Sequence, residues 1–470
     1  MANDLPEDSP TWKDSVFSMR AWHGYVVFFI GAVCSGLGAL FFAVMDRYSG
    51  NLLDWMGGSA RYLVFLIIPG GLTLIIWLRD KYFHGTDGTG IPQTIAALKM
   101  GECPARGGCL SMRIAIGKII LTTMGLFSFL SMGREGPSVQ LGACFMHLTT
   151  KFHKFPQHLV QRGLILGGGA AGIAAAFNAP VAGIVFSMEE IGRSFDKRSM
   201  GTIVRTVILA CIVCVFGLGN YFFYGDINAG RNPLQFTNLL QWASVIIVGV
   251  VGGLLGGLFS TVLLWTTPKI ARLLKTHKIQ TAVVIGLLIA LISLISGGAS
   301  LGSGYDEARA IILNGSPDYV ETLSLEDQQR LQRDHEKVTP MYPVYRAAAT
   351  FLVLITSIPG GLFDPSFSVG AGIGQYLAPL FAWTGVGTQG IVLLFIVSYF
   401  SGVVQSPMTS FIILIEMTGA VMFALPLGFA AIIAYEMSRL VCPNALYEAL
   451  AEKFLAASSC QNESGGKTKH

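Results

Sequence analysis

A chain of 470 residues that is 52% hydrophobic and 13% charged, with mean hydropathy +0.58, is a polytopic membrane protein rather than a water-soluble domain. Its net charge of +4 is too small to suggest a nucleic-acid partner. The eight cysteines and eight histidines form no disulfide or metal-ligand framework, so no cofactor or metal is expected.

The first 21 residues are polar and expected to be a cytoplasmic arm; their acidic start (Asp4, Glu7, Asp8) does not fit a signal peptide. Apolar runs long enough for spans follow at 25–45, 62–78, 203–216, 242–265, 281–301 and 421–437. Cys211 and Cys214 have redox-pair spacing, but they sit inside one of these runs and read as core residues. The 56 glycines suit closely approaching and broken helices.

Between the second and third runs lies His84-Gly85-Thr86-Asp87-Gly88-Thr89-Gly90-Ile91-Pro92. Here Pro92 could open a helix over 93–100 with the Thr89 hydroxyl at the break; an ordinary Gly-rich loop is the alternative. The run 114–132 carries one charge, Lys118, expected to snorkel or to line a polar cavity. It ends in Gly133-Arg134-Glu135-Gly136-Pro137, a break that lipid-exposed backbone does not tolerate. Pro137 is read as opening a helix whose free N–H groups point back at Glu135, so that a carboxylate takes the place an anion would take. The alternative is a buried structural Arg134–Glu135 ion pair.

Residues 151–162 are basic and amphipathic. Gly167-Gly168-Gly169 then leads to Asn178-Ala179-Pro180 and a helix ending at Glu189-Glu190. Lys269, Arg272, Lys275 and Lys278 mark a cytoplasmic connection. Residues 315–338 are too polar to span and are read as an extramembrane insert, partly helical.

The second half repeats the first. Pro137-Ser138-Val139-Gln140-Leu141-Gly142-Ala143 returns as Pro365-Ser366-Phe367-Ser368-Val369-Gly370-Ala371, an offset of 228 (365 − 137). Asn178-Ala179-Pro180, ending at Glu189, returns as Gln405-Ser406-Pro407, ending at Glu416, an offset of 227 (407 − 180). Interrupted apolar segments at matching positions of two halves point to a transporter's central site. The residues alone do not give the relative orientation of the halves.

Together these motifs resemble the CLC family of chloride channels and chloride/proton exchangers. Gly88-Thr89-Gly90-Ile91-Pro92 is similar to that family's G-S-G-I-P, Gly133–Pro137 to G-R-E-G-P, and Gly361-Leu362-Phe363-Asp364-Pro365 to G-x-F-x-P. Glu189-Glu190, Glu416-Met417-Thr418 and Leu446-Tyr447 fall in the family's order. The resemblance covers 22–455, in halves of roughly 22–230 and 231–455, followed by a polar tail, 456–470, with no regulatory domain expected.

The resemblance implies an all-α membrane fold with an inverted repeat of tilted and broken helices. It also implies a homodimer with one pore per subunit, in the lipid of an inner or plasma membrane. Chloride would be bound by Thr89, Leu362, Phe363, Tyr447 and Gly136, through backbone N–H groups and hydroxyls. Glu135 would be the gate and external proton site, and Glu190 the internal proton site. Glu190 could instead cap a helix end, the role favoured for Glu189 and Glu416. Thr89 stands where the family usually has serine, which leaves the preferred anion open. The function expected is chloride/proton antiport with no enzyme chemistry; a passive chloride channel is the alternative. An intramembrane protease would need paired catalytic groups, and the sequence has no such motif.

Overall fold

The computed structural model describes residues 19–56, 60–100, 104–157, 159–194, 197–219, 221–227 and 236–465. Most of the expected arm, 1–18, the end of the tail, 466–470, and Cys103 lie outside these residues. The described chain is built from helices, and its one β-type contact is an isolated antiparallel bridge between Gly133 and Gly361.

The first half runs α1 (Met19–Met56), α2 (Ala60–Tyr82), α3 (Ile91–Lys99), α4 (Pro104–Cys109), α5 (Met112–Phe127), α6 (Glu135–Leu148), α7 (Leu164–Phe177), α8 (Pro180–Phe186) and α9 (Lys197–Leu218). The second begins with α10 (Leu239–Thr276) and α11 (Lys278–Ile295), followed by α12 (Tyr305–Leu313), α13 (Pro317–Glu321) and α14 (Leu325–Glu336). It ends with α15 (Tyr342–Ile355), α16 (Phe363–Leu377), α17 (Thr388–Val404), α18 (Pro407–Thr418), α19 (Ala424–Val441) and α20 (Leu446–Gly465). Among the described residues, seven helical segments are long and apolar enough to cross a membrane. Their outward faces carry Leu66, Ile208, Leu258, Trp265 and Ile295, the surface a lipid solvent asks for.

Several boundaries differ from the sequence reading. The run 281–301 stops being helical at Ile295, because positive-φ residues Gly297, Gly298, Gly302 and Gly304 turn the chain there. The basic connection is the end of α10 and the start of α11, broken only at His277. Residues 151–162 form no continuous helix; a 3₁₀ turn ends at Lys151 and a π-turn starts at Leu159. Two short helices of the polar insert, α13 and α14, lie against α12. Arg330 of α14 pairs with Asp54 of α1 at 3.1 Å, so the insert is tied to the end of the first span. The last helix continues to Gly465, past the expected start of the tail.

Repetition extends to backbone detail. Four of the five non-glycine residues with positive φ form two pairs at the sequence offset: Phe129 with Ser357 (228) and Asn178 with Gln405 (227). Asn178 and Gln405 are left-handed C-caps that end α7 and α17, and each is followed two residues later by the proline opening α8 or α18. The halves also meet reciprocally. Gly133 N–H donates to the Gly361 carbonyl at 2.9 Å, and Gly361 N–H to the Gly133 carbonyl at 2.5 Å. Such an exchange of equivalent contacts is what a two-fold axis between the halves produces.

Small residues set the helix spacing. A Cβ on Gly142 would collide with the backbone of Gly168, and one on Gly168 with that of Gly142, so α6 and α7 cross backbone to backbone. In the second half Gly256 of α10 leaves no room for a Cβ beside the Tyr399 carbonyl of α17, only 2.5 Å away. Where lipid removes the hydrophobic drive between helices, such close contact is what holds them together.

Candidate functional site

Breaks in α3, α6, α16 and α20 bring four helix starts to one buried region. The first, α3, begins at Ile91 with Pro92 in its first turn, and α6 begins at Glu135, two residues before Pro137. The sequence reading put each start later. A proline is tolerated throughout the first turn, so the helix can begin ahead of it. In the second half, α16 begins at Phe363, with Leu362 as its N-cap. The last start, α20, begins at Leu446, which makes Tyr447 its second residue. At each start the first N–H groups have no acceptor inside their own helix.

The residues expected to bind the anion and the two expected proton sites are all buried. Thr89 is 7% exposed and Leu362 2%, while Glu135, Phe363 and Tyr447 are fully enclosed. Gly136 packs directly on Thr89: a Cβ there would lie 2.7 Å from the Thr89 carbonyl. Gly90, at φ 115°, brings the two loops equally close, 2.5 Å from the Gly136 carbonyl by the same measure. Among the described residues the Thr89 and Tyr447 hydroxyls have no hydrogen-bond partner. Two enclosed hydroxyls without acceptors, beside helix starts with free N–H groups, form a neutral donor set suited to a dehydrated anion.

The loop carrying Thr89 is held from both sides. Lys118, expected to snorkel or to line a polar cavity, instead points its ammonium at the Gly88 carbonyl, 2.6 Å away, and is fully buried. That carbonyl belongs to a half-buried turn, and the buried ammonium supplies its donor. Gly88 N–H donates to the Ser357 carbonyl at 2.7 Å. Arg79 reaches the Thr356 and Ser357 carbonyls at 3.1 and 3.2 Å and pairs with Asp87 at 3.1 Å. The threonine loop of one half is therefore fixed to the α15–α16 turn of the other.

Phe363 offers its backbone to this region, while its ring is structural. It stacks on Phe177 at 6.0 Å and meets Phe186 and Phe400 edge-on at 5.7 and 4.7 Å. Each such ring pair contributes about 0.5–1.5 kcal/mol beyond burial. The cluster pins the start of α16 against α7 and α8.

Neither sequence reading of Glu135 describes what its carboxylate meets. No described residue donates a hydrogen bond to either oxygen, so the helix N–H groups do not hold it. Arg134 does not pair with it as a close ion pair either; its guanidinium lies 3.7 Å from Asp46 of α1, over the Phe223 ring. The Glu135 oxygens rest on Gly133 and Gly361, where a Cβ would collide with them. Glu190 lies in a π-helical turn, Ser187–Ile191, and is 1% exposed. Its Oε2 accepts from Ser406 Oγ at 2.5 Å, while Oε1 has no partner among the described residues. Glu135 and Glu190 both lie near enough to Tyr447 for their charges to act on it, without a hydrogen bond to its hydroxyl.

Glu189 and Glu416 have different surroundings. Glu189 accepts from the Met408 and Thr409 N–H groups at 3.0 and 2.7 Å, and Glu416 from those of Val181 and Ala182 at 3.1 and 2.7 Å. Each carboxylate caps the proline-opened helix of the other half. Sequence reasoning missed two residues. Ser406 stands where the first half has Ala179, so its hydroxyl was visible as a departure from the repeat. Asp364 sits unassigned inside a quoted motif, and its fully buried carboxyl has no donor partner among the described residues.

The sequence pattern described as voltage gated chloride channel matches residues 70–439. A chloride channel protein CLC-d of Arabidopsis thaliana is 26% identical in an alignment 429 residues long that covers 76% of this chain and 52% of that protein. This chain thus spans about half the length of that relative. An H(+)/Cl(-) exchange transporter ClcA of Vibrio campbellii is 24% identical over 459 residues, 91% of this chain and 88% of that one. The fold matches the crystal structure of a slow cyanobacterial Cl-/H+ antiporter with TM-score 0.76 at 22% identity, covering 92% and 98% of the two chains. It matches that of a CLC-type fluoride/proton antiporter with TM-score 0.74 at 18% identity, covering 94% and 99%.

Proposed function

This chain belongs to the voltage-gated chloride channel family, and from that premise we propose that it is a secondary active transporter exchanging chloride for protons. One observation carries the reading: two enclosed acids, Glu135 and Glu190, flank Tyr447 closely enough for their charges to act on it, and the Tyr447 hydroxyl has no hydrogen-bond partner among the described residues. A passive pore has use for one gating carboxylate. A second enclosed acid that keeps one oxygen free supports proton movement as well, since an ionisable residue is costly to enclose within a membrane protein.

Chloride would rest on the N–H groups of Leu362, Phe363 and Gly136 and on the hydroxyls of Thr89 and Tyr447. No full positive charge touches it, so binding is strong enough to strip water and weak enough to release. Ionised, Glu135 competes with chloride for this region; protonated, it loses that competition and yields. Glu190 takes protons from the opposite side, with Ser406 fixing one oxygen and leaving the other to bind the proton. The Thr89 methyl beside the ion makes anion preference a property to be measured.

A second copy of the chain is expected on the face formed by α8, α9, α18 and α19. Val181, Ile208, Ile212, Met408, Leu425 and Ile432 lie there, all between 42% and 78% exposed. The basic α10–α11 junction favours a cytoplasmic side for that end, in an inner or plasma membrane. The test uses purified protein in liposomes with a chloride gradient and clamped potential, following internal pH. Protons driven uphill by chloride establish the exchanger. Chloride flux without protons means a passive channel, and no chloride flux directs the assay to other anions.

A further inference from the structure

The exchange reading leaves one enclosed acid without a task. Asp364 is the second residue of α16, fully buried, with neither oxygen meeting a donor among the described residues. Glu135, the first residue of α6, is in the same position. The Gly133–Gly361 bridge joins the two helix starts, and the Glu135 oxygens lie against Gly361, three residues before Asp364, close enough for the two carboxyl groups to act on one another.

Two carboxylates have only acceptors and cannot bond to one another. A single proton converts one into a donor and satisfies both at once. The surroundings favour that state. Arg134 is the cation that acts on the pair, and it also faces Asp46 of α1; Tyr221 and Tyr224 approach Asp364 from the segment after α9. With every acid ionised, three negative charges would face one positive charge where an anion has to pass, in surroundings that screen poorly. The fold does not demand the acid. At the repeat offset of 228, Asp364 corresponds to Gly136, which has no side chain. A cavity of about 360 Å³ is lined by Asp46 and Arg134, the groups that flank the pair, and is roomy and polar enough to hold water.

We propose that Asp364 is a second proton-binding residue on the Glu135 side, sharing one proton with Glu135 and passing it to and from the gate. A proton arriving from the cavity binds an Asp364 oxygen, and the new O–H donates to Glu135. Transfer along that bond leaves Asp364 ionised and Glu135 neutral, with no other bond made or broken. The inference rests on the exchange reading for its role in transport; the shared proton itself does not.

Two measurements separate these parts. In liposomes, chloride flux by Asp364→Asn is followed as a function of pH. The pH midpoint of that flux should move toward acid by about one unit, because the neighbouring carboxylate that shares the proton is gone. Asp364→Glu restores the midpoint. Infrared difference spectra of the wild type across the same pH range should contain a protonated-carboxyl band that is shifted in Asp364→Asn and altered in Glu135→Gln. An unchanged midpoint in Asp364→Asn overturns the proposal. If that variant does not fold, a wild-type band unaffected by Glu135→Gln overturns it equally. Wild-type chloride flux without proton movement defeats the exchange reading instead, and the infrared band still decides whether the pair holds a proton.

Discussion

Glu189 and Glu416 exchange caps: each carboxylate accepts two backbone N–H groups at the start of the helix that leads to the other, at distances between 2.7 and 3.1 Å. A helix start carries partial positive charge, and a carboxylate satisfies its orphan donors better than a neutral acceptor does. Glu189→Gln and Glu416→Gln should each cost about 1–2 kcal/mol. The measurement is thermal unfolding of the detergent-solubilised protein. Chloride flux by the surviving folded protein is expected to be unchanged, which separates these acids from Glu190.

Glu135→Gln keeps the size of the side chain and removes its titratable proton. Chloride flux should persist and lose its pH dependence, while uphill proton movement disappears. Paired chloride and pH recordings from the same liposomes read both quantities. Coupled exchange by this variant would falsify the gate assignment.

Ser406→Ala removes the 2.5 Å hydrogen bond to Glu190 Oε2 and leaves both oxygens of that acid without a described donor. Proton transport should slow by roughly three- to tenfold, the kinetic equivalent of a hydrogen bond worth about 1 kcal/mol. Chloride flux should change little, because Ser406 is not among the anion donors. Equal slowing of both ions would argue for a structural role alone.

Arg346 is completely enclosed and holds the turn before α12 by its carbonyls. It donates to Ala299, Leu301 and Gly302 at 2.5, 3.1 and 2.8 Å, and to Glu307 at 3.2 Å. Arg346→Met strands these carbonyls and leaves the buried Glu307 without its cation. A loss of about 3–5 kcal/mol is expected, seen as poor yield of monodisperse protein. Glu307→Gln in the same chain should recover part of it.

Gly142→Ala adds one methyl group where α6 meets the backbone of Gly168. The neighbour there is main chain and cannot rotate away, so the two helices must separate. A cost above about 2 kcal/mol is expected from lost packing and displaced helix starts. Gly70→Ala, where nothing lies within 4 Å, is the control and should be neutral or slightly stabilising. Thermal unfolding of both variants checks the contrast.

Local chemistry made much of this protein legible before any coordinates. Apolar length reveals spans because lipid requires it, and Gly-Pro breaks reveal buried helix starts because lipid forbids them elsewhere. Repetition at 227–228 residues was readable because both halves need the same caps at Asn178 and Gln405 and the same prolines after them. Those features depend on a few neighbouring residues, which a linear sequence preserves.

What the tertiary structure decided were the meetings between distant segments. Nothing along the chain announces that Lys118 ends on the Gly88 carbonyl, that Glu189 caps α18, or that Asp364 faces Glu135. Hydrogen bonds and charge pairs act over a few ångströms in space, whereas these partners stand 30, 219 and 229 residues apart. The Gly133–Gly361 bridge closes that distance, and it forms only once both halves have packed.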